Sequence, residues 1–214
     1  MGKNMKLDKK SLQLYVITDR SWLKGETLYE QVEKALKGGA SFVQLREKDR
    51  EKGSILAEAR QLKGLCEKYQ VPFVINDSVE IALEADADGV HLGQEDMGIL
   101  EAREILGRDK IIGATAKTIE QAVRAQEQGA DYLGVGAVFA SPTKTNAIRI
   151  SKEQLREIRE SVSIPVVAIG GITADNIMEL KGSGIDGVAV VSAVFASDDI
   201  EQAAGDLKEK AADL

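Results

Sequence analysis

Short apolar runs alternate with longer amphipathic stretches along the whole chain. The apolar runs fall at 14–18, 42–45, 73–75, 89–92, 111–114, 132–135, 166–169 and 187–191. They are almost free of polar residues, as strands buried on both faces of a parallel sheet must be. Between them lie stretches with helical periodicity, among them 28–36, 55–69, 100–106, 119–128, 153–160 and 177–181, and 200–210 closes the chain. Eight strands alternating strictly with eight helical segments predict an α/β fold of the (β/α)8 TIM-barrel type. A doubly wound sheet is the alternative, because periodicity does not reveal closure. No linker or low-complexity stretch divides the chain, so residues 12–214 are expected to form one barrel domain behind a polar extension at 1–11.

A weak repeat supports the barrel. Gly39-Ala40-Ser41-Phe42, Ala87-Asp88-Gly89, Gly129-Ala130-Asp131-Tyr132 and Gly184-Ile185-Asp186-Gly187 recur at every second strand. The glycine suits a left-handed helix C-cap, and an acid tends to precede the strand. These segments lie where helices hand over to strands, the stability end of such a barrel.

Composition narrows the function. The chain has 214 residues, 43% of them hydrophobic and only 4% aromatic, so the expected core is aliphatic. A net charge of −7 argues against nucleic acid or an anionic membrane as the main partner. An anionic substrate must therefore be held by a local cluster of cations and backbone N–H groups. The single cysteine, Cys66, excludes an intramolecular disulfide and reads as a small buried hydrophobe. No run approaches membrane-span length, and residues 1–10 lack the apolar core of a signal peptide, so a cytoplasmic location is expected.

Barrel enzymes place their chemistry just past the C-terminal ends of the strands. The second strand runs into Gln44-Leu45-Arg46-Glu47-Lys48-Asp49, and alternation puts Gln44, Arg46 and Lys48 on one side. An amide, a guanidinium and an ammonium suit a polyanion. The third strand gives Asn76 and Asp77, and the fourth gives Gln94, Glu95 and Asp96. On neighbouring strands Asp77 and Asp96 share a rim, where carboxylates about 5 Å apart repel by roughly 3 kcal/mol at an effective dielectric near 20. Each alone could be a helix N-cap. Beside the strand 2 cations, a Mg²⁺–diphosphate site explains the pair better. His91, the only histidine, lies mid-strand and reads as a packed, hydrogen-bonded barrel residue. Strand 5 leads to Thr115, Lys117 and Thr118, the last a helix N-cap candidate; strand 6 leads into the long loop 136–150 with Ser141-Pro142-Thr143-Lys144-Thr145. Gly170-Gly171 after strand 7 and Val191-Ser192 after strand 8 match the recurrent phosphate site of barrels. The inventory is two anion sites, one with a metal, which points to diphosphate as a leaving group.

These residues, in unbroken order from about Leu14 to Ser192, resemble the thiamine phosphate synthase family. The resemblance implies a Mg²⁺-dependent transferase. It would join hydroxymethylpyrimidine diphosphate to hydroxyethylthiazole phosphate by dissociative substitution, giving thiamine phosphate and pyrophosphate. It implies that Gln44, Leu45, Arg46, Glu47, Lys48, Asn76 and Lys144 hold the pyrimidine diphosphate, with Tyr15 near the ring. Asp77 and Asp96 would bind Mg²⁺. Thr143, Gly171, Val191 and Ser192 would hold the thiazole phosphate, with Ser141 and Pro142 in the same loop. Arg46, Lys48, Thr115 and Lys144 are the expected catalytic residues. The chain departs from the family pattern at Thr115 and Lys117, where Ser and His are usual, and across 141–149. The implied partners are these small molecules and, at most, a second copy in a homodimer. A thiazole tautomerase-like isomerase or a non-catalytic thiazole phosphate binder on the same barrel is the alternative.

Overall fold

The computed structural model describes residues 7–48, 50–140 and 149–214. Among them, eight parallel strands close into a barrel in chain order. They are β1 (Leu14–Ile17), β2 (Phe42–Leu45), β3 (Phe73–Asn76), β4 (Gly89–Leu92), β5 (Ile111–Ala116), β6 (Tyr132–Gly136), β7 (Val166–Ile169) and β8 (Gly187–Val190). The helices are α1 (Leu28–Lys37), α2 (Lys52–Tyr69), α3 (Val79–Glu84), α4 (Ile99–Leu106), α5 (Ile119–Glu127), α6 (Lys152–Glu160), α7 (Ser192–Phe195) and α8 (Ile200–Ala211). Closure is made by β1 against β8, with Leu14 opposite Val188 and Val16 opposite Val190. The doubly wound alternative is thereby excluded. A 3₁₀ turn, Lys9–Leu12, precedes β1 and buries Leu12, so ordered structure begins inside the segment expected to be a polar extension.

The helix limits follow local chemistry. Thr27 and Glu30 form a capping box at the start of α1, and Ser151 with Gln154 forms another at α6. Thr118 caps α5 as its sequence suggests. The expected helix at 177–181 is instead a 3₁₀ turn, Ile177–Leu180, too short to build an α-helical ladder. The short helices α3 and α7 carry too few residues to show a periodicity in sequence.

The repeat is a structural device. Gly39, Gly129 and Gly184 take positive φ at +102°, +95° and +74°. The polar residue that follows each handover accepts a backbone N–H from the start of the preceding strand. Leu14 donates to Ser41 Oγ at 3.0 Å, Phe73 to Asp88 at 2.8 Å, Ile112 to Asp131 at 2.8 Å and Val166 to Asp186 at 2.9 Å. Each acceptor also meets a cation from a helix or an end turn: Lys208, Lys63, Arg103, and Arg159 with Lys9.

Two layers of core result. The larger lies between strands and helices and is aliphatic apart from two phenylalanines and Cys66. The inner one fills the barrel, and here the expectation of an aliphatic core fails. Tyr15, Phe42 and Tyr132 pack edge to face, with centroids 4.6 Å (Tyr15–Phe42), 5.5 Å (Phe42–Tyr132) and 5.9 Å (Tyr15–Tyr132) apart. A low aromatic fraction does not say where the rings go, and three of them suffice to plug a narrow barrel. Cys66 is fully buried, and burial pushes its thiol pKa up to about 12. No helix among the described residues is long and apolar enough to cross a membrane.

Candidate active site

Above the aromatic plug, the C-terminal ends of the strands open into a cavity of about 200 Å³. Its wall changes character around the barrel. The arc from β1 to β5 contributes Tyr15, Gln44, Arg46, Asn76, His91, Thr115 and Lys117. The arc from β6 to β8 contributes Gly136, Ala137, Ile169, Gly170, Gly171, Val191 and Ser192. One side is thus rich in polar side chains and the other in exposed backbone.

Strand alternation explains the β2 contribution. Gln44 is buried within the strand yet faces the cavity. Leu45 faces the opposite way, into the aliphatic layer. Arg46 returns to the cavity wall, its N–H held by Thr18 Oγ1 at 3.0 Å and its guanidinium 3.5 Å from Asp19. Glu47 turns outward to Arg20 at 2.8 Å, and Arg20 also pairs with Glu58. Burial of the Glu47 carboxyl raises its pKa despite the pull of Arg20. Lys48 stands exposed beyond Arg46 and does not line the cavity.

At the same rim, Asp77, just past the end of β3, and Asp96, in the turn after the adjacent β4, come together. Asp77 adopts φ +64°, outside the usual region for a side-chain-bearing residue, while its N–H bonds the carbonyl of His91 at 2.9 Å. It does not cap α3, since Ser78 does. Asp96 accepts the N–H of Gly93 at 2.6 Å and does not cap α4. Loss of solvent, then the neighbouring Asp96 carboxyl, push the Asp77 pKa up to about 6, against the opposing pull of Arg46. Among the described residues no group of three His, Cys, Asp or Glu side chains that could hold a metal ion occurs.

Across the cavity, Gly170 and Gly171 hold φ +100° and +67°. A Cβ on Gly171 would lie 2.2 Å from the carbonyl oxygen of Ala140, so only glycine fits this close backbone approach. Asn176 Nδ2 donates to the Gly171 carbonyl at 2.9 Å and pins the turn. Val191 and Ser192 open the short α7 beside it.

Of the residues singled out from sequence, Tyr15, Gln44, Arg46, Asn76, Thr115, Gly171, Val191 and Ser192 share this one cavity, with Asp77 and Asp96 at its rim. Ser141, Pro142, Thr143 and Lys144 lie outside the described residues. His91 lines the cavity as well as packing within the barrel, and Lys117 joins the wall. Both carried a signal: His91 is a lone polar residue in an apolar strand, like Gln44, and Lys117 follows Thr115 at strand spacing.

A closed barrel with an acidic pair, a guanidinium and a glycine turn around one cavity belongs to the phosphate-handling class of (β/α)8 enzymes. The comparisons make this specific. Residues 14–194 match the family model for thiamine monophosphate synthase. Thiamine-phosphate synthase from Clostridium beijerinckii is 47% identical over 92% of this chain and 94% of its own length. That from Alkaliphilus oremlandii is 48% identical over 91% and 93%. The structure of thiamine phosphate pyrophosphorylase from Pyrococcus furiosus superposes with a TM-score of 0.88 at 43% identity, covering 95% of this chain and 97% of the other. An N-acetylmannosamine-6-phosphate 2-epimerase from Clostridium perfringens, at 17% identity and TM-score 0.62, shares the fold alone. The chain belongs to the thiamine monophosphate synthase family.

Proposed function

We propose that this chain joins hydroxymethylpyrimidine diphosphate to hydroxyethylthiazole phosphate, releasing pyrophosphate. The observation that carries the reading is the meeting of Asp77 and Asp96 beside Arg46, at one end of a cavity whose other end is a glycine turn. Such an arrangement suits two different phosphate groups, one bound with a metal and one on backbone N–H. The meeting of the two carboxylates suits Mg²⁺, which Asp77 and Asp96 would hold. When bound, the cation supplies charge neutralisation on the diphosphate.

The chain's own groups would divide the remaining work. Arg46, with Lys48 further out on the rim and Lys144, would offset negative charge that grows on the leaving diphosphate. Gln44 and Asn76 position the pyrimidine side, with Tyr15 beneath. Leu45 and Glu47 face away from the cavity, Leu45 into the aliphatic layer and Glu47 toward Arg20, and would act through their backbone. Thr115 offers a hydroxyl near the reacting carbon. The carbon–oxygen bond to diphosphate breaks, leaving a pyrimidine-methyl cation, and the thiazole nitrogen captures it with its lone pair. Gly171, Val191 and Ser192, with Ser141, Pro142 and Thr143, hold the thiazole phosphate so that its nitrogen faces that carbon. A tautomerase would have no use for the acidic pair. Purified protein mixed with both substrates and Mg²⁺ should release pyrophosphate in step with thiamine phosphate. Absence of product, with thiazole phosphate still bound, would overturn the reading in favour of a binder.

A further inference from the structure

We propose that Lys117 is a further substrate-binding residue: its ammonium meets the diphosphate of the pyrimidine substrate from the β5 side of the cavity, and holds the pyrophosphate product in the same way. The identity of that ligand rests on the proposed function, whereas the placement of the lysine rests on the barrel alone. Lys117 follows β5 directly and lines the cavity. Alternation sets it on the side of Thr115, since Ala116 between them is buried in the aliphatic layer. The exit of β5 is braced from two sides. The Lys117 N–H donates to Gln121 Oε1 at 2.8 Å, and the Gln94 amide donates to the Thr115 carbonyl. The backbone is thus pinned where the long, partly buried side chain leaves it.

Charge and strand order assign the ligand. Among the described residues, Arg46 and Lys117 are the two cations in the cavity wall. Arg46 lies 3.5 Å from Asp19, whereas Lys117 pairs with no carboxylate among the described residues. The neutral polar groups below are engaged with one another: Gln44, Tyr15, Tyr132, His91 and Thr115 join in one chain of hydrogen bonds. Around the rim, Arg46 follows β2, Asp77 follows β3, Asp96 lies in the turn after β4 and Lys117 follows β5. The acidic pair therefore has a cation on each flank. Asp19 offsets Arg46, and the acidic pair would offset a divalent ion, which leaves Lys117 as the wall charge available to a polyanion. Its strand adjoins that of Asp96, while the glycine turn stands two strands away, beyond β6. An ammonium on a flexible stem suits phosphate oxygens that shift as the bond to carbon breaks.

Calorimetric titration of pyrophosphate, in saturating Mg²⁺, into the native protein and two variants tests this. Lys117→Met keeps the stem and removes the charge. It should weaken pyrophosphate binding on the order of tenfold, as loss of one charge-assisted contact does, and flatten the salt dependence of that binding. Lys117→Arg should restore most of the affinity. Thiazole phosphate should bind all three proteins alike, and in the synthase assay the KM for the pyrimidine diphosphate should rise in Lys117→Met while that for thiazole phosphate holds. Equal pyrophosphate affinity in native protein and Lys117→Met would make Lys117 a solvated lysine and overturn the assignment. A loss that falls on thiazole phosphate instead would overturn it too, as would a native protein that does not bind pyrophosphate. Pyrophosphate binding that depends on Lys117, in a protein that makes no thiamine phosphate, would uphold the residue and overturn only the synthase reading.

Discussion

Asp77 and Gly171 bear the sharpest single-residue expectations. If the acidic pair holds Mg²⁺, Asp77→Asn and Asp96→Asn should each cut turnover on the order of a hundredfold or more and shift the Mg²⁺ requirement upward. A Mg²⁺ titration of pyrophosphate release checks this, and unchanged turnover would make the pair structural. Gly171 combines a φ of +67° with a backbone oxygen where a Cβ would sit. Gly171→Ala should cost about 1–3 kcal/mol of stability and raise KM for thiazole phosphate more than for the pyrimidine substrate. Thermal melts and initial rates with each substrate varied separate the two effects. Gln44, Arg46 and Thr115 could be picked out as polar residues at strand ends. The outward turn of Glu47 could not, because it depends on Arg20 and Glu58 arriving from elements distant in sequence.

At the scale of elements, the handover from helix to strand every second unit is a repeated brace. Asp88 accepts the N–H of Phe73 and pairs with Lys63 at 2.9 Å, both away from the cavity. Asp88→Ala leaves a buried N–H and a partly buried ammonium without their partner. It should cost about 1–3 kcal/mol, a fall of several degrees in Tm, with kcat/KM retained. Lys63→Ala should cost less, since it leaves Asp88 its backbone partner. Loss of activity out of proportion to stability in Asp88→Ala would contradict the division between a stability end and a chemical end of the barrel. The repeat was visible in sequence as glycine and acid at fixed offsets. That its acids serve the preceding strand was not, since a strand's neighbours are set by pairing.

Across the whole molecule, closure makes every strand depend on two others and leaves Cys66 sealed between barrel and helices. Unfolding should be a single transition, with helix content by circular dichroism and fluorescence of the one tryptophan, Trp22, coinciding. Cys66, with its thiol pKa pushed up to about 12 by burial, should resist thiol reagents in the native state and react only at the rate of global opening. Early labelling under native conditions would show a local opening that the closed packing argues against.

By itself the sequence determined the number, type and order of most elements, the rim that carries chemistry, and the pairing of Asp77 with Asp96. Apolar periodicity reports burial, and an acid at the end of a strand keeps that place in any parallel sheet. Only the tertiary structure decided that the sheet closes, that three aromatic rings plug its centre, and that Gln44, Tyr15, Tyr132, His91 and Thr115 join in one hydrogen-bonded chain. Those outcomes depend on which residues from remote strands face inward at the same height. Local sequence holds no record of that meeting, and closure of the barrel creates it.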